Sequence, residues 1–167
     1  MKKLLILAVI STCAFAGWRV LRGGDGARTA HDGGGGLVLD RIWVDHMPKH
    51  DRDQVSVFAA LTEQPFGVFQ TASAWRGHFE LFRYEAYDDE LRLLYPQDGH
   101  REHVKTKARR CGGDSGDSGE DGFDYCLELD GASRGVHRYY SRKGWEIDGA
   151  TRPDDLRARI EAALQVK

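Results

Sequence analysis

The sequence predicts an all-β domain with one C-terminal α-helix: an antiparallel meander of about eight strands, closed into a barrel. Three observations predict it. Between residues 37 and 148 apolar side chains recur mostly at every second position, and β-branched and aromatic residues dominate. Short connections rich in Gly, Pro and Asp separate these runs, with no helical run among them. The period then switches once, to that of a helix, after Pro153. Closure is expected because the loops are short and a barrel leaves no strand edge exposed.

The first 16 of the 167 residues read as processing before structure. Lys2 and Lys3 precede the unbroken apolar run 4–10, and Ala14-Phe15-Ala16 places small residues where a signal peptidase inspects them. Two rival readings stay open. Uncleaved, the apolar stretch 4–18, ended by Arg19, is shorter than the roughly 20 residues that span a bilayer, yet it serves as an anchor if Val20 and Leu21 are counted and Arg19 snorkels. Alternatively Ile10-Ser11-Thr12-Cys13 resembles a lipoprotein signal with Cys13 lipidated, although Thr12 departs from the small residue such signals carry. All three readings place the folded part outside the cytoplasm, as a periplasmic, secreted or membrane-tethered domain. Residues 17–36 form a Gly-rich flexible tether, with too little apolar surface to offset the entropy of ordering it.

The barrel is expected over 37–148. Its first strand covers 37–45, and 54–62 follows with Val55, Val57, Ala59 and Leu61 on one face. A turn at 63–65 leads to 66–75. In 78–87 Phe79 and Leu81 share one parity while Phe82, Tyr84 and Ala86 share the other, which predicts a bulge near Leu81. Strands at 90–95, 101–111, 123–130 and 136–147 complete the series, with Pro96-Gln97-Asp98-Gly99 as the strongest turn. In 149–167 Pro153, Asp154 and Asp155 suit a helix start. Leu156, Ile160 and Leu164 recur at i, i+4 and i+8, a stripe that must dock on the sheet because so short a helix is marginal alone.

An exported meander of this kind, with a C-terminal helix packed outside, resembles the lipocalin-like barrels over residues 37–166. The likeness is architectural. In place of that family's Gly-x-Trp in the first strand stands Arg41-Ile42-Trp43. The resemblance implies a cover for Trp43 by a basic residue of the last strand, Arg138 or Arg142, and a central cavity for a small ligand.

Beyond Cys13 two cysteines remain, Cys111 and Cys126, in a compartment that permits a disulfide. Both fall on the polar face of their strands. Placing them directly opposite each other puts Arg109 against Glu128 and Lys107 against Asp130, two pairs of opposite charge.

With 24 Lys+Arg against 26 Asp+Glu, the net charge of −2 argues against a nucleic-acid partner and leaves the N-terminus as the route to a membrane. The densest basic stretch, 101–110, reads as a solvated face paired with Glu128 and Asp130. Cys111-Gly112-Gly113-Asp114-Ser115-Gly116 resembles the nucleophile segment of trypsin-like proteases. Asp117 stands where that family has Gly, however, and no histidine sits in the matching context. Counted as a calcium loop, 117–128 offers Asp117, Asp121 and Glu128, but its third position is Gly119, its flanks are strands, and no metal is expected. His46 and His50 sit four apart around Pro48, which argues against a helical zinc pair. No base–nucleophile or paired-carboxylate arrangement stands out, so neither an enzyme nor a cofactor is expected.

The barrel interior is the remaining candidate site. Trp43, Phe58, Phe69, Trp75, Phe82, Tyr84, Tyr125 and Tyr139 are the ligand-binding residues expected there. An eight-stranded barrel is either just filled by its side chains or holds one small ligand. Two functions follow: an exported or envelope-tethered binding protein for a small apolar or amphipathic ligand, or an envelope structural or interaction domain with a filled core and a protein partner.

Overall fold

The computed structural model describes residues 35–73, 77–112 and 122–164. The leader and most of the tether, Trp75, and the acidic tip carrying Asp117 and Asp121 lie outside the described residues. A helical turn α1 (Gly35–Val38) precedes β1 (Trp43–Val44), β2 (Val55–Leu61), β3 (Phe66–Ala72) and β4 (Gly77–Tyr87). β5 (Glu90–Leu94), β6 (Arg101–Arg110), β7 (Tyr125–Asp130), β8 (Arg138–Ser141) and α2 (Pro153–Leu164) complete the chain. Each strand pairs antiparallel with the next, and Val44 opposite Tyr140 joins β1 to β8, so the eight strands close into a barrel.

Alternation sorts the strands into two apolar layers. Trp43, Phe58, Phe69, Phe82, Tyr84, Leu93, Leu127 and Tyr139 point inward into one cluster. Val55, Val57, Ala59 and Leu61 do share a face, but it is the outer one. There they join Ile42, Val44, Val68 and Ile147 beneath Leu156 and Ile160 of α2. Every residue of β2 is therefore buried, on one side by the lumen and on the other by the helix.

Three expectations are corrected. The first strand is short, because Gly35–Val38 turns as a helix and Asp40 adopts a left-handed φ of 53°. The Asp40 carboxylate accepts the backbone N–H of Thr62 at 2.8 Å, tying this turn to the end of β2. No bulge forms in β4, whose pairing with β3 runs unbroken from Phe66 opposite Arg83 to Ala72 opposite Gly77. Phe79 and Leu81 simply face outward, 40% and 37% exposed.

The third correction concerns the hairpin. Cys111 and Cys126 are disulfide-bonded, with Cα atoms 5.3 Å apart, but they sit on a diagonal. Arg109 stands opposite Cys126, Lys107 opposite Glu128 and Lys105 opposite Asp130. The register is shifted by two residues from the expected one. A slip of two preserves which face each side chain occupies, so the pattern of opposite charges survives it. Arg109 still reaches Glu128 diagonally, at 3.4 Å. The observed register seats Ala108 against Leu127 and Thr106 against Leu129, and lets the Cys111 N–H bond Asp124 O at 3.0 Å.

The bridge closes a loop across a sequence separation of 15, so replacing both cysteines with Ser is expected to cost about 3 kcal/mol in the chain-entropy picture. Thermal melts with and without reductant measure this. An unchanged melting temperature after verified reduction would contradict it.

Candidate functional site

Of the residues expected to bind a ligand, Trp43, Phe58, Phe69, Phe82, Tyr84 and Tyr139 meet in the barrel lumen and pack on one another, Tyr125 packs against them, and Trp75 lies outside the described residues. Phe58 lies 5.2 Å from Phe69, 6.0 Å from Phe82 and 5.9 Å from Tyr139, centroid to centroid. Phe82 also packs 5.1 Å from Phe69, 6.3 Å from Tyr84 and 6.1 Å from Tyr95. These are the tilted and offset separations at which aromatic pairs attract. Gly67, opposite Phe82, is where the ring rests: a Cβ there would lie 2.2 Å from Phe82 Cζ and 2.6 Å from Ala59 O.

Described residues cover the cluster at both ends of the barrel. At the end where α1 sits, Val38 is buried against the interior cluster and its carbonyl accepts the Trp43 indole N–H at 2.9 Å. Tyr84 donates its hydroxyl to Leu61 O at 2.7 Å. Tyr125 is covered by the Arg41 guanidinium, 4.2 Å from the ring centroid, while Arg41 also donates to Arg142 O at 3.0 Å and pairs with Glu146. The cover implied for Trp43 from the last strand does not form. Arg142 instead lies over Phe123 and Trp145, both packed against the outer cluster, and Arg138 stands opposite Glu128. Trp43 sits so deep against α1 that its only polar atom is satisfied by the backbone.

The opposite mouth is sealed by a side chain that sequence reasoning missed. Arg134, from the β7–β8 connection, lays its guanidinium 4.0 Å above the Tyr95 ring centroid, pairs with Glu80 at 2.8 Å and pairs again with Asp98. Tyr95 donates to Glu102, whose other oxygen accepts the Ser133 N–H at 3.0 Å. Burial, and then that bond to Glu102, push the Tyr95 hydroxyl up. Burial pushes Glu102 up as well, but bonds from Ser133 and Tyr95 and the nearby His100 outweigh it and hold the carboxyl below its ordinary range. Asp98 is held low first by the His100 N–H and then by Arg134.

Carboxylates depressed in the fold stabilise it above their unfolded pKa and lose that contribution as pH falls through the folded one. Stability should therefore decline from about pH 4 downward, and Glu102→Gln should flatten part of that decline. Melts between neutrality and about pH 3 check both; identical acid profiles for the two proteins would remove Glu102 from the account.

Glu128, the described member of the calcium-loop set, is engaged by Arg109. His46 lies between Asp45 at 2.9 Å and Asp53 at 3.4 Å, and among the described residues no group of three or more His, Cys, Asp or Glu is arranged to hold a metal.

A second feature that sequence reasoning missed is an open groove of about 820 Å³ on the outer wall. It is lined by Pro65 and Phe66 and by the outward residues Arg83, Arg92, Leu94 and Arg101 of β4, β5 and β6. The outward parity of Arg83 and of Arg101 was readable. Their alignment on either side of Leu94 depends on two strand registers that no local pattern encodes. Comparisons with protein-family models, with curated proteins and with solved structures find no match to this chain.

Proposed function

We propose that this chain is a non-catalytic interaction domain exported to the cell envelope or beyond, a filled β-barrel that engages a protein partner through its outer surface. The observation that carries this reading is the lumen itself. Phe58, Phe69, Phe82 and Tyr139 occupy it at ring separations between 5.1 and 6.0 Å. A small-ligand carrier of lipocalin-like type would need that cluster to part and the Arg134 seal to open. The leader-like residues 1–16 and the disulfide support export.

Titration with a naphthalene dye or a fluorescent fatty acid tests the reading. No saturable binding is expected. Saturation near one site per chain, weakened by Phe58→Trp, would replace the interaction domain with a ligand carrier.

A further inference from the structure

The outer wall carries an arrangement that the barrel itself does not use. Phe66, Arg83, Leu94 and Arg101 form one cross-strand row over β3, β4, β5 and β6, with Arg83 opposite both Phe66 and Leu94, and Leu94 opposite Arg101. All four project to the same face and line the groove. Arg83 and Arg101 are exposed, and among the described residues neither is ion-paired. Their neighbours differ. In the next row Arg92 is held by Glu90 at 2.9 Å and stacks 4.2 Å over Tyr87, while His103 also contacts Glu90, at 3.1 Å. Two acids line the groove, and both are engaged: Glu85 accepts from the Tyr87 hydroxyl at 3.0 Å, and Glu102 accepts from Tyr95 and the Ser133 N–H.

A pair of unengaged guanidinia in a protein of net charge −2 is a local feature, with an apolar floor of Leu94 and Phe66 between and beside them. Farther out on β4 the exposed Leu81 and Phe79 extend the apolar strip. We infer that this groove docks an acidic, extended peptide segment of a protein partner, with two carboxylates on Arg83 and Arg101 and an apolar side chain over Leu94. The inference rests on the interaction-domain reading and names its surface.

Three considerations select a peptide. Two strand spacings separate Arg83 from Arg101, about 10 Å, which matches residues i and i+3 of a peptide in the extended polyproline II form, whose three-residue repeat at about 3.1 Å per residue puts both on one side. A concave groove does not fit a flat bilayer. An apolar floor between the cations favours a chain that interleaves apolar and acidic side chains over a polysaccharide. Because the barrel is closed, the partner is gripped by side chains, not by an added strand. Guanidinium forks suit carboxylates and hold them with charge-assisted hydrogen bonds.

Fluorescence anisotropy of the full chain with a labelled peptide carrying Glu at i and i+3 and Leu and Val between them tests this. Saturable binding is expected. It should weaken about tenfold in Arg83→Ser or Arg101→Ser and about a hundredfold in the double variant. Arg159→Ser, an equal charge change on the exposed face of α2, should leave it unchanged. Circular dichroism confirms that each variant is folded. Absence of saturable binding, or equal weakening by Arg83→Ser and Arg159→Ser, overturns the inference. So does Arg83-dependent binding to vesicles of phosphatidylcholine and phosphatidylglycerol in place of the peptide. None of these outcomes touches the filled lumen, which the dye titration tests separately.

Discussion

Phe82→Ala should lower stability by about 3–5 kcal/mol, the cost of removing a buried aromatic ring together with the cavity it leaves. The side chain is fully buried and is the ring most shared in the lumen, in contact with Phe58, Phe69, Tyr84 and Tyr95 at once. Its position over Gly67 makes the site hard to collapse. Gly67, which faces the ring from β3, has no side chain to fill the vacated space, and two of the flanking aromatics are held by bonds of their own, Tyr84 to Leu61 O and Tyr95 to Glu102. The loss corresponds to roughly 10–20 °C in melting temperature for a domain of this size. The variant's cavity would be apolar and sealed at both mouths, the kind that stays dry and accepts a small aromatic molecule. Benzene should therefore raise the melting temperature of Phe82→Ala and leave the wild type unmoved. A destabilisation under about 1 kcal/mol would mean that the lumen is loosely packed, and the filled-barrel reading would fall with it.

How far this arrangement was legible in the sequence depends on the range over which each feature is encoded. Period-two alternation is local, and it marked the strands and the shared face of Val55, Val57, Ala59 and Leu61. It could not say which side of the wall that face occupies, because β2 is apolar on both faces. Cys111 and Cys126 were legible as a pair. Their register was not, since a disulfide spans a diagonal as readily as a direct pairing and a slip of two leaves the pattern intact. Six of the aromatics expected in the lumen sit there, Trp43, Phe58, Phe69, Phe82, Tyr84 and Tyr139, but its Arg134 cover was not legible. Arg134 lies in a connection whose composition looks like solvent, and its role exists only because Glu80, Tyr95 and Asp98 arrive from two other places in the chain. The groove is the extreme case: four strands contribute outward residues, each unremarkable by itself.

Ile160→Asp should be comparably damaging, at about 4 kcal/mol or more, and by a different route. Ile160 is fully buried beneath α2 beside Leu156, against Val55, Val57, Ala59, Leu61 and Val68 of the outer wall. Aspartate there loses the apolar contacts and must either bury an unpaired carboxylate or lift the helix away. A helix of 12 residues is marginal once its docking is lost, so lifting it amounts to melting it. The outer face of β2 would then be a continuous apolar strip open to water, and a patch of that kind drives self-association. The expected result is a melting temperature lower by roughly 15 °C, with concentration-dependent association in sedimentation. Arg159→Asp, one residue away on the exposed face, should shift stability by no more than about 0.5 kcal/mol. The contrast separates the helix's contribution as a cover from its contribution as a helix. If Ile160→Asp and Arg159→Asp behaved alike, α2 would be an ornament on a barrel already complete without it. If only Ile160→Asp fails, the barrel of this chain is a two-layered object whose outer apolar wall is part of the fold.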